Sequence, residues 1–322
     1  MTKNIQMNLF ARVVLLSCIY FGAMTQGRAQ DRYAPLVEKI LASWDSADVV
    51  CLGENHGRKN DSDLRIAVVQ HPKFPSIVNV IVVEFANPTH QDLLDRFILE
   101  GAPMTRDEIS TVWRDASGAE VWESPIYEQF LQKVREVNLR LPREKRVRVI
   151  GGDNPIDWRK ITSAEQLAPL INRGGNIRQI ISEQVLDKKL KALAVYGAGH
   201  CVKMGMGFPG ELAGRYPGRI WSVYGFFEEK GARQGKQTFK LGDKPAYLVV
   251  TGTTWETMPA AGMLLTFGKE TFGTMLDAIV YYGDVPDVAV SADLTDLNAK
   301  YGVEFQRRGK LVDEALKLQR RP

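Results

Sequence analysis

Glu54 and His56 lie two residues apart in Gly53-Glu54-Asn55-His56-Gly57, directly after the apolar run Val49-Val50-Cys51-Leu52. A carboxylate beside an imidazole is the equipment of a general base: the acid orients the ring, and the ring takes a proton from water near neutral pH. With only four histidines in the chain, one placed here invites a chemical reading. Three further segments share this grammar, each an apolar run that breaks into glycine and ionisable residues. VNVIVVEFANP delivers Glu84, VRVIGGDNP delivers Asp153 and Asn154, and LAVYGAGHC delivers His200. The candidate catalytic residues are therefore His56, Glu54, Glu84, His200 and Asp153. Each also has a plainer reading. A glutamate after a strand often caps a helix, and Asp153 ahead of Asn154-Pro155 is equally a turn residue. Glu54, His56, Glu84 and His200 taken together are harder to explain that way. His71, before Pro72, and His90, beside a helix, are expected to be structural.

The elements that must position these groups alternate along the chain. Apolar spacing predicts helices over 31–44, 62–71, 90–99, 105–115 and 127–139. The helix over 105–115 opens with a capping box, Thr105 and Glu108. Strands are expected at 49–53, 78–85, 147–151, 193–197, 220–226, 247–251 and 278–282, while 231–237 (GARQGKQ) reads as a solvated loop. Strands alternating with helical runs predict an α/β fold, a mostly parallel sheet flanked by helices on both faces in a single domain spanning 30–322. In such a sheet the carboxyl ends of the strands share one edge, where ligands bind. Glu54, His56, Glu84 and His200 should converge there. Trp113, Trp122 and Trp158 are candidates to line the same pocket, or equally to fill core.

The 322-residue chain opens with Lys3 and Arg12, an apolar core from Val13 to Met24, and the small-residue pattern Gly27-Arg28-Ala29. That is the form of a secretory signal over 1–29, which predicts a mature chain starting near Gln30 in the periplasm or secreted. The core is too short to span a bilayer, so no stable membrane insertion is expected. Removing Lys3, Arg12 and Arg28 takes the net charge from +4 to +1, which gives no footing for nucleic acid. Cys51 and Cys201 remain after cleavage. Each adjoins one of the histidine segments, so they should lie close together, either as a disulfide in an oxidising compartment or as two small buried apolar residues. A G-x-S-x-G elbow, an H-E-x-x-H helix and a phosphate-binding G-x-x-x-x-G-K-[ST] loop are all missing. Gly197-Ala198-Gly199 starts like a dinucleotide fingerprint, but Val202 stands where the third glycine belongs.

Gly53-Glu54-Asn55-His56, the strand-terminal Glu84 and Gly197-Ala198-Gly199-His200, in that order, resemble the superfamily that unites ChaN-type haem-binding proteins, Tiki/TraB proteins and erythromycin esterases. The segments GAGHCVKMGMGFPGEL and DAIVYYGDVPD resemble ChaN-type sequences and exported bacterial members, so the likeness runs from about Val49 to Asp287. It implies several activities. Tiki-type peptidases imply His56, Glu84 and His200 around a divalent metal. Erythromycin esterases imply His56 as base in the hydrolysis of a lactone, though their first motif carries one more residue between Glu and His. ChaN-type members imply haem, with Tyr196 or His200 as its ligand. The expectation is an exported hydrolase acting on an ester, lactone or amide bond of a small-molecule or peptide substrate. Haem or metal capture without turnover is the alternative.

Overall fold

Alternating burial decides the sheet. In β1 (Val49–Glu54), Val50 and Leu52 join one apolar cluster while Val49 and Cys51 join another. The same split recurs in β2 (Val80–Val83), β3 (Arg148–Gly151), β4 (Ala192–Gly197) and β5 (Ile220–Gly225). Strands buried on both faces suit parallel pairing. With β6 (Ala246–Val249) and β7 (Ala278–Tyr281) they form one seven-stranded sheet in the order β3-β2-β4-β1-β5-β7-β6. Every neighbouring pair is parallel except β6 and β7, which run antiparallel. The computed structural model describes residues 32–320 apart from 206, 227, 265, 267 and 293. The expected signal segment lies outside these residues.

Helices cover both faces. On one, α1 (32–42), α2 (Lys59–Gln70), α3 (Arg106–Arg114) and α4 (Pro125–Leu139) supply Leu36, Leu64, Val112 and Phe130 to the first cluster. On the other, α5 (Arg173–Ile180) contributes Ile177, joined by Val185, Phe208 and Phe272. The capping box at Thr105 is present, with Glu108 closing back on the Thr105 backbone. The carboxyl-terminal α7 (Thr295–Gln319) packs Leu311 and Ala315 on a separate small cluster with Ile156 and Leu167. No described helix is long and apolar enough to cross a membrane.

The segment 231–237 is not a loop. It lies within α6 (Glu228–Thr238), on which Gly231 and Gly235 are the buried residues. Four residues apart, they share one helix face. A Cβ at Gly235 would stand 2.4 Å from the Phe226 ring, and one at Gly231 would stand 2.7 Å from the Met263 carbonyl oxygen. The glycines that looked like loop punctuation let this helix lie close against its neighbours.

Candidate active site

The sheet order makes β2, β4 and β1 adjacent, so Glu84, His200 and His56 leave three neighbouring strands at the same edge. Register aligns them: Glu54 pairs with Gly197, and Val83 with Val195. Glu84 N–H continues the ladder by donating to the Val195 carbonyl at 3.0 Å. The convergence expected of Glu54, His56, Glu84 and His200 is found.

Glu54 is 6% exposed, and three groups hold it. Arg65, reaching in from α2, pairs with Oε2. Tyr127 OH from α4 donates to Oε1 at 2.8 Å while accepting from Gly57 N–H at 3.1 Å. His56 Nδ1 lies 2.9 Å from the same Oε1. Burial pushes the Glu54 carboxyl up, but the Arg65 guanidinium and the His56 and Tyr127 contacts outweigh it and leave it below the ordinary carboxylate range. An ionised carboxylate only accepts hydrogen bonds, so His56 Nδ1 carries a proton directed at Glu54. Desolvation, reinforced by Glu54, raises the Tyr127 hydroxyl well above its usual range, so it remains a donor.

His56 Nε2 faces Glu84 Oε2 at 4.0 Å, with the imidazole 37% exposed. The ring stands edge-on to Trp122, with centroids 4.7 Å apart. Gly197 is required on its other flank, because a Cβ there would come within 2.9 Å of His56 Cε1 and Nε2. Glu84, 1% exposed, accepts the Gly197 N–H at 2.6 Å. Its second oxygen lies 3.5 Å from His200 Nε2. His200 Nδ1 is buried without a hydrogen-bond partner. Cys51 and Cys201 form a disulfide with Cα atoms 5.6 Å apart, which ties the turn carrying His200 to β1.

Asp153 follows β3 at the same edge, and its carboxylate accepts the Ser117 N–H. Asp153 thereby braces the Ser117 loop. His90 Nε2 lies 2.7 Å from Asp115, and His71 Nε2 lies 3.1 Å from Glu38. Trp122 packs on His56, whereas Trp113 is core, with its indole N–H on Glu123 at 3.0 Å. Arg65 and the Tyr127 hydroxyl escaped sequence reasoning. The signal for Arg65 was a single cation among Leu64, Ile66 and Val68 on a helix. Tyr127 was visible only as an inward-facing residue.

Two imidazoles flanking one carboxylate invite a metal. Among the described residues, however, no group of three or more His, Cys, Asp or Glu side chains is arranged to hold an ion. Tyr196, suspected as a haem ligand, is fully buried with its hydroxyl on the Gly152 carbonyl at 3.2 Å, so it cannot reach a haem iron. His200 Nε2 is turned to Glu84.

No known family model matches the sequence, and no curated protein matches it. Solved structures do match in fold. A Bacillus cereus protein aligns with TM-score 0.55 at 14% identity, covering 81% of this chain and 93% of its own. A histidine-to-asparagine variant of erythromycin esterase EreC in its open conformation aligns with TM-score 0.54 at 10% identity, covering 77% and 95%. A succinoglycan biosynthesis protein aligns with TM-score 0.53 at 12% identity, covering 80% and 92%. The α/β fold implied by the resemblance to erythromycin esterases is the fold found.

Proposed function

We propose that this chain is a hydrolase of ester, lactone or amide bonds, with His56 as its general base. The observation that carries the reading is the chain of contacts from Arg65 through Glu54 to His56 Nδ1. It keeps a proton on Nδ1 and turns Nε2 of the partly exposed ring toward Glu84. Nε2 takes a proton from water, and the hydroxide formed adds to the carbonyl carbon. The protonated ring, stabilised by Glu54, then returns the proton to the leaving alkoxide or amine. His200 stands across Glu84 with its Nε2 toward the same space and is the donor available to the developing oxyanion. Glu84 holds both rings in register. The disulfide supports an oxidising compartment, in keeping with the signal-like amino terminus and a periplasmic or secreted location.

The fold shared with an esterase supports this class of chemistry without choosing a substrate. The test is a panel of 4-nitrophenyl esters, aliphatic and macrocyclic lactones, and peptides. Turnover of at least one class by wild type, lost in His56→Ala with an unchanged circular dichroism spectrum, is expected. Turnover of none, or equal turnover by the variant, overturns the reading.

A further inference from the structure

Beyond β3 the same edge of the fold holds a cavity of about 540 Å³ between the 114–121 segment and α7. That volume falls within the range of roughly 300–1,000 Å³ typical of small-molecule sites. Its apolar wall includes Trp158, Ile156, Phe305, Val312, Ile171 and Val121. Val121 stands 43% exposed on this wall.

The charged lining is already spent. Arg114 is bound to Glu123 at 2.5 Å and to Asp107 at 3.4 Å. Arg308 is bound to Asp115 at 2.8 Å and to Glu304 at 2.7 Å. Glu120 and Asp313 are exposed and disfavour an anion. Asn154 donates an amide N–H to Ser117 Oγ at 3.2 Å, and its Oδ1 accepts the Asn176 amide N–H at 2.6 Å. With no cation to spare for a carboxylate or phosphate, the cavity suits an uncharged, largely apolar group.

It is also next to the base. Ser117 lines the cavity, the Trp122 indole N–H donates to the Ser117 carbonyl at 2.6 Å, and the same Trp122 packs on His56. A single side chain therefore separates the cavity wall from the imidazole. From these contacts, we infer that the cavity binds the neutral, apolar body of the substrate and presents its scissile bond across Trp122 to His56. This inference rests on the hydrolase reading for the word substrate, but not for the binding site itself.

The experiment uses the full chain and two variants. Gly309 lines the cavity, and an added Cβ there meets nothing within 4 Å, so Gly309→Phe places a ring at the mouth. Val121→Glu, at an exposed position on the opposite wall, puts a charge into it without touching the core. The uncharged dye Nile red should bind wild type with quenching of tryptophan fluorescence. Each variant should weaken that binding at least tenfold, with an unchanged circular dichroism spectrum. In turnover, kcat/KM should rise from 4-nitrophenyl acetate to 4-nitrophenyl octanoate in wild type, with that rise lost in both variants. Dye binding that is lost in the variants, in a protein that hydrolyses nothing, sinks the hydrolase reading and leaves the site standing. Absence of dye binding by wild type, equal binding by both variants, or hydrolysis indifferent to chain length in all three proteins overturns the cavity's role.

Discussion

Replacing Arg65 by methionine should cost more stability at neutral pH than in acid. Arg65 is 1% exposed and Glu54 6%, and they pair inside a wall formed by Tyr127 and Phe130, whose ring centroids lie 4.9 and 5.2 Å from the guanidinium carbon. Methionine keeps apolar volume against those rings, so the change reads mainly the charge. Removing one partner of a buried pair leaves the other uncompensated, a loss of about 3–5 kcal/mol. The sign with pH follows from Glu54. In the wild type its folded pKa is depressed, so its contribution is present above the ordinary carboxylate range and is lost as pH falls through the folded value. In Arg65→Met the effect of burial dominates and the folded pKa is raised. The cost then builds up as pH rises from the ordinary value of about 4.3 and fades below it. Urea unfolding followed by far-ultraviolet circular dichroism at pH 4.5 and pH 7.5 measures this difference. A loss under about 1 kcal/mol, or an equal loss at both pH values, would refute the reasoning. Activity should fall at least about a hundredfold, since a protonated Glu54 no longer orients the base.

Gly197→Ala should push the His56 ring aside, because the new Cβ lies 2.9 Å from it, lowering kcat on any substrate found while thermal stability stays within about 1 kcal/mol of wild type. Cys51→Ala with Cys201→Ala should lose up to about 5 kcal/mol, the chain-entropy value for a closed loop of this length, visible as a lowered Tm. Asp61, buried and bonded to Asn55 N–H at 3.1 Å and to Tyr282 OH, has its carboxyl raised by burial to about 7. Its charge therefore costs stability increasingly as pH rises from about 4 to about 7. Asp61→Asn should stabilise the protein at pH 8 and change little at pH 4, as measured by Tm. Intact mass of protein recovered from a native culture should show a chain beginning near Gln30, and full-length protein in the cytoplasm would contradict export.

The strands and their polar ends were readable because the signal is local. Runs such as Val80–Val83 and Ala192–Gly197 are buried on both faces, and the change from branched apolar residues to glycine and acid marks where each strand meets the edge. Parallel geometry then puts Glu84, His200 and His56 at one edge, and the strand order sets them side by side. Arg65 was not readable, because its meaning lies in a contact between α2 and the end of β1 that no periodicity encodes. Gly231 and Gly235 misled for a related reason: glycine costs helix stability in isolation and is repaid here by close packing. The large cavity draws its walls from the 114–121 segment, the exit of β3 and a helix near the end of the chain. Only the fold joins pieces so distant.

The most direct test of the site is the pH profile of kcat/KM for wild type and His56→Ala on the first ester or lactone found to turn over. If His56 is the base, wild type shows an ascending limb governed by one group in the histidine range. His56→Ala then loses about 10²–10⁴ in rate together with that limb, while its unfolding midpoint is unchanged. A folded His56→Ala protein that keeps both the rate and the limb would contradict the account.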